Sequence, residues 1–169
     1  MIVLAPYDPA WPSQFAAARD EVLSACDGLV IEVHHIGSTS IPGMAAKPII
    51  DMMPVVRRFE DGTACVGGLR KLGYEYRGEY GIAGRHYFVR GDPRSHQVHM
   101  YAADHCEVDR HLLFRDYLRA HPDERAAYEH LKRDLAERFR DDVQAYAAAK
   151  TPFCDRIVGL ARAAAQPRD

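Results

Sequence analysis

The stretch HHIGSTSIPGMAAKPIID, residues 34–51, constrains the fold more than any other part of the chain. It follows an apolar run, residues 29–36 (LVIEVHHI), whose Leu, Val and Ile content predicts a buried strand. It leads into a second run, residues 49–56 (IIDMMPVV), read as another strand with Asp51 inside it. Gly37 supplies the backbone freedom for the turn between them. Ser38, Thr39 and Ser40 add small side chains and backbone N–H groups of the kind that cradle a phosphate. Pro42 and Gly43 punctuate the loop, and Lys47 brings a cation to the same mouth. An acid within an apolar strand must be paired, hydrogen-bonded or metal-bound. The spacing fits equally a plain turn closed by Ser and Thr hydroxyls, with Asp51 capping a neighbour.

Around this stretch the pattern alternates between helix and strand before turning wholly helical. Trp11, Phe15, Ala18, Val22 and Leu23 predict a helix over residues 10–26, stopped by Asp27-Gly28, after an extended arm over residues 1–9. A helix is expected over residues 60–72, though Gly67-Gly68 works against it. Strands are expected over residues 74–77, 85–90 and 96–101. The turn residues 91–95 (GDPRS) make the last two a hairpin. Helices follow over residues 107–120 and 123–139, with Pro122 at a first helical position. A last helix, capped by Asp141 or Asp142, runs to about residue 165, with a kink or break expected at Lys150-Thr151-Pro152. The reading is a single α/β domain of the α+β kind, residues 1–169. It has a mixed sheet and flanking helices in a core of about residues 1–104, and a helical part over about residues 105–165.

A chain of 169 residues, 47% hydrophobic and 27% charged, can bury one proper core. A net charge of −2 gives no basic field for nucleic acid or a membrane surface. No run reaches the roughly 18 apolar residues of a membrane span, and the proline-broken start predicts no signal peptide. Cys26, Cys65, Cys106 and Cys154 are scattered, so free thiols and a cytoplasmic setting are expected. The oligomeric state stays open.

Phosphoryl or nucleotidyl transfer needs a phosphate cradle, a divalent metal held by carboxylates, and cations for developing charge. The backbone around Gly37, Ser38, Thr39 and Ser40 is the candidate cradle, Asp51 a metal ligand, and Lys47, Arg85 or Arg90 the cations. A second acid belongs two residues beyond Asp51, on the same face of the strand; Met53 stands there. His99 shares its strand face with Gln97 and Tyr101, and suits a transition-metal ligand or an acid/base role. His35, Asp51 and His99 form a candidate mixed metal set, although a lone strand histidine is more often a hydrogen-bonded structural residue. His96 and His99 fall on opposite faces of a strand and make no pair. Arg115 and Arg119 lie four apart on a helix, as do Tyr146 and Lys150. Each pair reads as an anion clamp or, more plainly, as part of surface ion pairs. The Gly-Ser-Thr-Ser run is not a Gly-x-Ser-x-Gly elbow, which argues against a serine nucleophile.

These residues resemble the signature of the GrpB family. The resemblance is carried by HIGSTSIPG (residues 35–43), AKPIID (46–51), HLLFRDYLR (111–119), and Tyr146 through Lys150 to Phe153, and it spans nearly the whole chain. It implies the nucleotidyltransferase superfamily of DNA polymerase beta and the kanamycin-type antibiotic nucleotidyltransferases. In some bacteria a GrpB-like domain is fused to dephospho-CoA kinase. The superfamily pattern is a hydrophobic residue, Gly, then Gly or Ser, followed after a spacer by Asp, a hydrophobic residue and a second acid. Ile36, Gly37 and Ser38 match its start, and Asp51 matches the first acid after twelve intervening residues. Met53 departs at the second acid, and His99 stands where a third is expected. The resemblance implies a nucleoside triphosphate bound with a divalent metal (Mg²⁺, Mn²⁺ or Zn²⁺) by Gly37, Ser38, Thr39, Ser40, Lys47, Arg85 and Arg115. Asp51 and His99 would be catalytic, passing a nucleotidyl group to a small acceptor. The alternative it implies is the same fold kept to bind a nucleotide or coenzyme phosphate without turnover.

Overall fold

The computed structural model describes residues 2–165. Its sheet is mixed, in the order β1-β2-β5-β4-β3. The strands are β1 (Val30–Ile36), β2 (Ile50–Val56), β3 (Glu75–Tyr76), β4 (His86–Arg90) and β5 (His96–Ala102). Strand β2 pairs antiparallel with β1 and parallel with β5; β4 pairs antiparallel with β5, which is the expected hairpin, and with β3. Among the described residues α1 (Trp11–Ala25), α2 (Phe59–Lys71) and α3 (Cys106–Ala120) pack on this sheet, while α4 (Pro122–Arg138) and α5 (Val143–Ala165) pack on α3 and on each other. The expected mixed sheet with flanking helices and a helical C-terminal part is therefore present.

Alternation along β2 and β5 divides the core into two layers. Met52, Val56, Val98 and Met100 face α1 and α2, joined by Trp11, Val22, Cys65 and Leu69. Ile36, Met53, Val55 and Tyr101 face the other way and are covered by Val108 of α3. Further clusters tie the C-terminal helices to the loop after β1 and to the N-terminal arm. Ile41 and Met44 pack on Leu118, Tyr128 and Ile157, and Ile2 packs on Leu135 and Tyr146. The arm itself bridges Ala5 to Ala46.

The stop after α1 comes where expected: Asp27 and Gly28 take φ of 48° and 78°. Of the two glycines that weaken α2 as a sequence, Gly68 has a packing reason and Gly67 faces open space; Gly62, earlier in the helix, has a packing reason too. A Cβ on Gly68 would lie 2.1 Å from the Ala25 carbonyl oxygen, and one on Gly62 would lie 2.4 Å from the His86 ring. Helix α2 lies this close to α1 and β4 only because both positions lack a side chain. Asp142 accepts from the Ala145 N–H at 2.9 Å, as a cap for α5. The break expected at residues 150–152 does not occur, for α5 runs unbroken through Pro152. Packing of Tyr146 against Leu135 before the proline, and of Phe153 and Ile157 beside Tyr128 and Leu118 after it, holds the helix on both sides of the missing donor.

Candidate functional site

On the α3 side of the sheet, above the ends of β2 and β5, lies a cleft of about 380 Å³. Its floor is Asp51 on β2 with Gln97 and His99 on β5; its walls come from the loop after β1, the turn before β4, and helices α3, α4 and α5. Strand pairing sets the floor: Asp51 lies beside Ile36 on one side and Gln97 on the other.

Asp51 is partly buried and held from several directions. His99 Nε2 lies 3.2 Å from Asp51 Oδ1. Gln97 donates to the same oxygen at 3.0 Å while accepting from Arg94 at 3.2 Å. Gly37 closes the remaining side. It has φ of 70°, and a Cβ there would lie 2.6 Å from Asp51 Oδ2, so the chain must be glycine both for its turn and for this approach. Ser40 Oγ donates to the Gly37 carbonyl at 2.5 Å and tightens the same turn.

The cationic wall is assembled by α4 and α5. Helix α4 grips Ala45 on both polar groups: Glu129 accepts from its N–H at 2.9 Å, and Lys132 donates to its carbonyl. This grip sets the position of Lys47. Lys47 and Lys150 both approach the Tyr146 ring, at 5.7 and 4.5 Å from its centroid. Burial lowers the pKa of Lys47, Lys132 and Lys150; for Lys132, with Lys150 adding repulsion, it falls to about 7. Lysines forced together out of water are costly without an anion between them. Across the cleft, desolvation first and His99 second hold His111 down to about 3.

The expected site residues divide by location. Gly37, Ser38, Thr39, Lys47, Asp51 and His99 all line the cleft. Thr39 is turned to structure, bonding His35 Nε2 at 2.9 Å and donating to the Ile49 carbonyl at 3.3 Å. His35 belongs to the other side of the sheet, stacked on Phe15 of α1 at 4.6 Å. It does not join Asp51 and His99, because adjacent residues of a strand point to opposite faces. Among the described residues no group of three His, Cys, Asp or Glu side chains is placed to share a metal ion.

The expected arginines brace backbone. Arg85 is buried behind His99 and donates to the carbonyls of Glu79 and Tyr80 at 3.1 and 2.6 Å. Arg115 donates to the His35 carbonyl at 3.1 Å, and Arg119 makes two bonds to the Ser40 carbonyl at 3.0 and 2.7 Å. The clamp read on that helix face thus holds the loop after β1 itself. Sequence reasoning missed Lys132 and Arg94 as parts of the cleft; Gln97 lies, as expected, on the face of His99. Lys132 had one available signal: it sits four residues after Tyr128 on an otherwise polar helix, where it shares that residue's inward face.

A model of the family described as GrpB protein matches residues 1–159. The UPF0157 protein YqkA of Bacillus subtilis is 45% identical over 96 residues, which are 56% of this chain and 28% of that protein. The chain spans between 28% and 55% of the length of the first curated relatives it matches. A crystal structure of conserved protein GrpB from Enterococcus faecalis is similar with a TM-score of 0.88 and 38% identity, over 94% of this chain and 96% of that one. The Cid1 poly(U) polymerase, solved with MgGTP bound, is similar with a TM-score of 0.58 and 13% identity, over 85% of this chain and 50% of that one. That second likeness is one of fold alone, and the fold is nucleotidyltransferase-like.

Proposed function

The chain belongs to the GrpB family, and on that premise we propose that it binds the phosphates of a nucleoside triphosphate in the cleft above Asp51. One observation carries this reading. Lys47, Lys132, Lys150 and Arg94 reach a single cleft from separate elements and face only one strand carboxylate, Asp51. A polyanion in the cleft would stabilise these cations against the burial that otherwise favours their neutral forms.

Nucleotidyltransferase folds imply divalent metal ions held by paired carboxylates, and the donors here do not fit that group. Met53 fills the place of the second acid and is fully buried under α3. His99 has both ring nitrogens engaged, one toward Asp51 and one toward Arg85. The lysines supply the charge compensation instead. The test is calorimetric titration of ATP, GTP, CTP and UTP, each with and without Mg²⁺. Binding that persists without Mg²⁺ and weakens at least tenfold in Lys150→Ala supports the reading. Binding that needs Mg²⁺ and ignores Lys150 defeats it.

Transfer of a nucleotidyl group to a small acceptor is a second reading, favoured by one feature. Asp51 sits at the first acid of the superfamily pattern and faces the cleft. Pyrophosphate release that is lost in Asp51→Asn, with nucleotide binding kept, would support it.

A further inference from the structure

We propose that Tyr80 is the stacking platform for a planar heterocycle on the ligand of this cleft; the inference rests on the nucleotide reading above and names its base-binding end. Tyr80 lies in the turn before β4 and lines the cleft together with Tyr87 of β4. The two rings stack at 5.1 Å and 22°, and Arg85 lies 4.6 Å from the Tyr87 ring. Tyr80 is 58% exposed, so this aromatic pile ends in an open ring at the cleft mouth. Strand order sets the cationic and aromatic ends apart. Lys47 precedes β2, Tyr87 is on β4, and β5 with His99 runs between them.

The way Tyr80 is held argues that the exposed ring is there for a purpose. Its φ is +47°, in the left-handed region that disfavours a side chain, while Gly78, Gly81 and Gly84 of the same turn meet positive φ as glycines. A turn with only a structural task would be more stable with glycine at position 80 as well. Instead the buried Arg85 is committed to the Tyr80 and Glu79 carbonyls, and Glu79 accepts from the Gly84 N–H at 2.6 Å. The fold thus maintains a strained backbone that presents an aromatic face to a cleft with cations at its far side. A ligand joining a polyphosphate to a flat ring matches both ends, and base-on-aromatic stacking tolerates any base.

The test compares ATP, CTP and inorganic tripolyphosphate as probes on the intact chain, with Tyr80→Gly and Tyr80→Phe as variants. Tyr80→Gly removes the ring and relieves the strained φ, so its melting temperature should hold or rise. Its affinity for ATP or CTP should fall by about tenfold, with tripolyphosphate unchanged. Tyr80→Phe should keep wild-type affinity for all probes. Equal losses for nucleotide and tripolyphosphate, or no loss for either, would overturn the role of Tyr80 alone. Wild-type protein that binds tripolyphosphate as tightly as the nucleotides would do the same and leave the phosphate cradle standing. Wild-type protein that binds none of the probes would overturn the nucleotide reading and this inference with it.

Discussion

His99 donates to Asp51, and Arg85 is the reason. His99 Nδ1 lies 3.4 Å from Arg85 Nη1, and Nε2 lies 3.2 Å from Asp51 Oδ1. A guanidinium only donates, so Nδ1 must accept, and the ring proton sits on Nε2, directed at the carboxylate. With Gln97 donating to the same oxygen, Asp51 is fixed in place by two neighbours on β5. Arg85 therefore has a double task, setting the His99 tautomer on one side and pinning the turn of Tyr80 on the other.

Asp51→Asn should separate the roles of the only strand carboxylate in the cleft. Losing the charge-assisted bonds from His99 and Gln97 should cost about 1.5–3 kcal/mol, read by urea denaturation. Removing a negative charge from a lysine-lined cleft should at the same time raise affinity for tripolyphosphate measured without Mg²⁺. Lower affinity in that titration would show that Asp51 helps hold the ligand through a cation, and the lysine cradle would lose its standing.

Gly37→Ala should be among the most damaging single-methyl changes in the chain. The added Cβ would lie 2.6 Å from Asp51 Oδ2 on a backbone with φ of 70°. Strain of this kind costs on the order of 1–3 kcal/mol before the carboxylate has moved. Displacing Asp51 would also loosen its bond to His99. A clear drop in melting temperature together with a weaker nucleotide titration is expected. A variant as stable as wild type would show that the turn has room the geometry denies.

Much of this site was legible in the sequence, and the reason is the period of two along a strand. Asp51 beside Met53, and His99 beside Gln97 and Tyr101, were placed on common faces by alternation alone, and His96 was rightly set apart. What alternation could not supply was pairing register, which turns His35 toward α1 while Ile36 lies beside Asp51. Lys132 was hidden for a different reason: its place depends on α4 crossing the loop at Ala45, a contact 87 residues away in the chain. The arginines of α3 were read correctly as one face of a helix. Their partners are carbonyl oxygens, which every residue carries and no sequence marks. At Pro152 local chemistry predicts a kink or break, and packing on both sides keeps the helix from breaking there.

Met53→Asp would restore the acid that the superfamily pattern expects, and it should fail to make a metal site. Met53 is completely buried among Ile36, Val55, Tyr101 and Val108. A carboxylate placed among these mostly apolar side chains loses its hydration, so a loss of several kcal/mol or failure to fold is expected. Met53→Leu, nearly equal in volume, should cost under about 1.5 kcal/mol. A folded Met53→Asp protein that binds Mn²⁺ more tightly than wild type would show that α3 can lift away from this strand.

Stability should fall on acidification through the histidine range, with His35 as the chief cause. Burial holds His35 near 4, with weaker and opposing influences from Asp51 and the two arginines of α3. Its Nε2 donates to Thr39, whose own proton goes to the Ile49 carbonyl; burial, not this bond, is what favours the neutral ring. In the unfolded chain the same group titrates near its ordinary value of about 6.5. Between pH 6.5 and about 4 the unfolded state therefore binds the extra proton, and stability drops as pH falls across that window. Above 6.5 both states are neutral and the dependence on His35 vanishes; below about 4 both are protonated and it levels off. The full effect is on the order of 3 kcal/mol. His111 adds in the same direction, with a smaller share because 29% of its side chain is open to the cleft. His35→Gln keeps a donor for Thr39 but cannot titrate, so its stability curve should be flatter between pH 6.5 and 4, whatever its absolute offset. Parallel curves for the two proteins would show that His35 takes up its proton inside the fold at its ordinary pH.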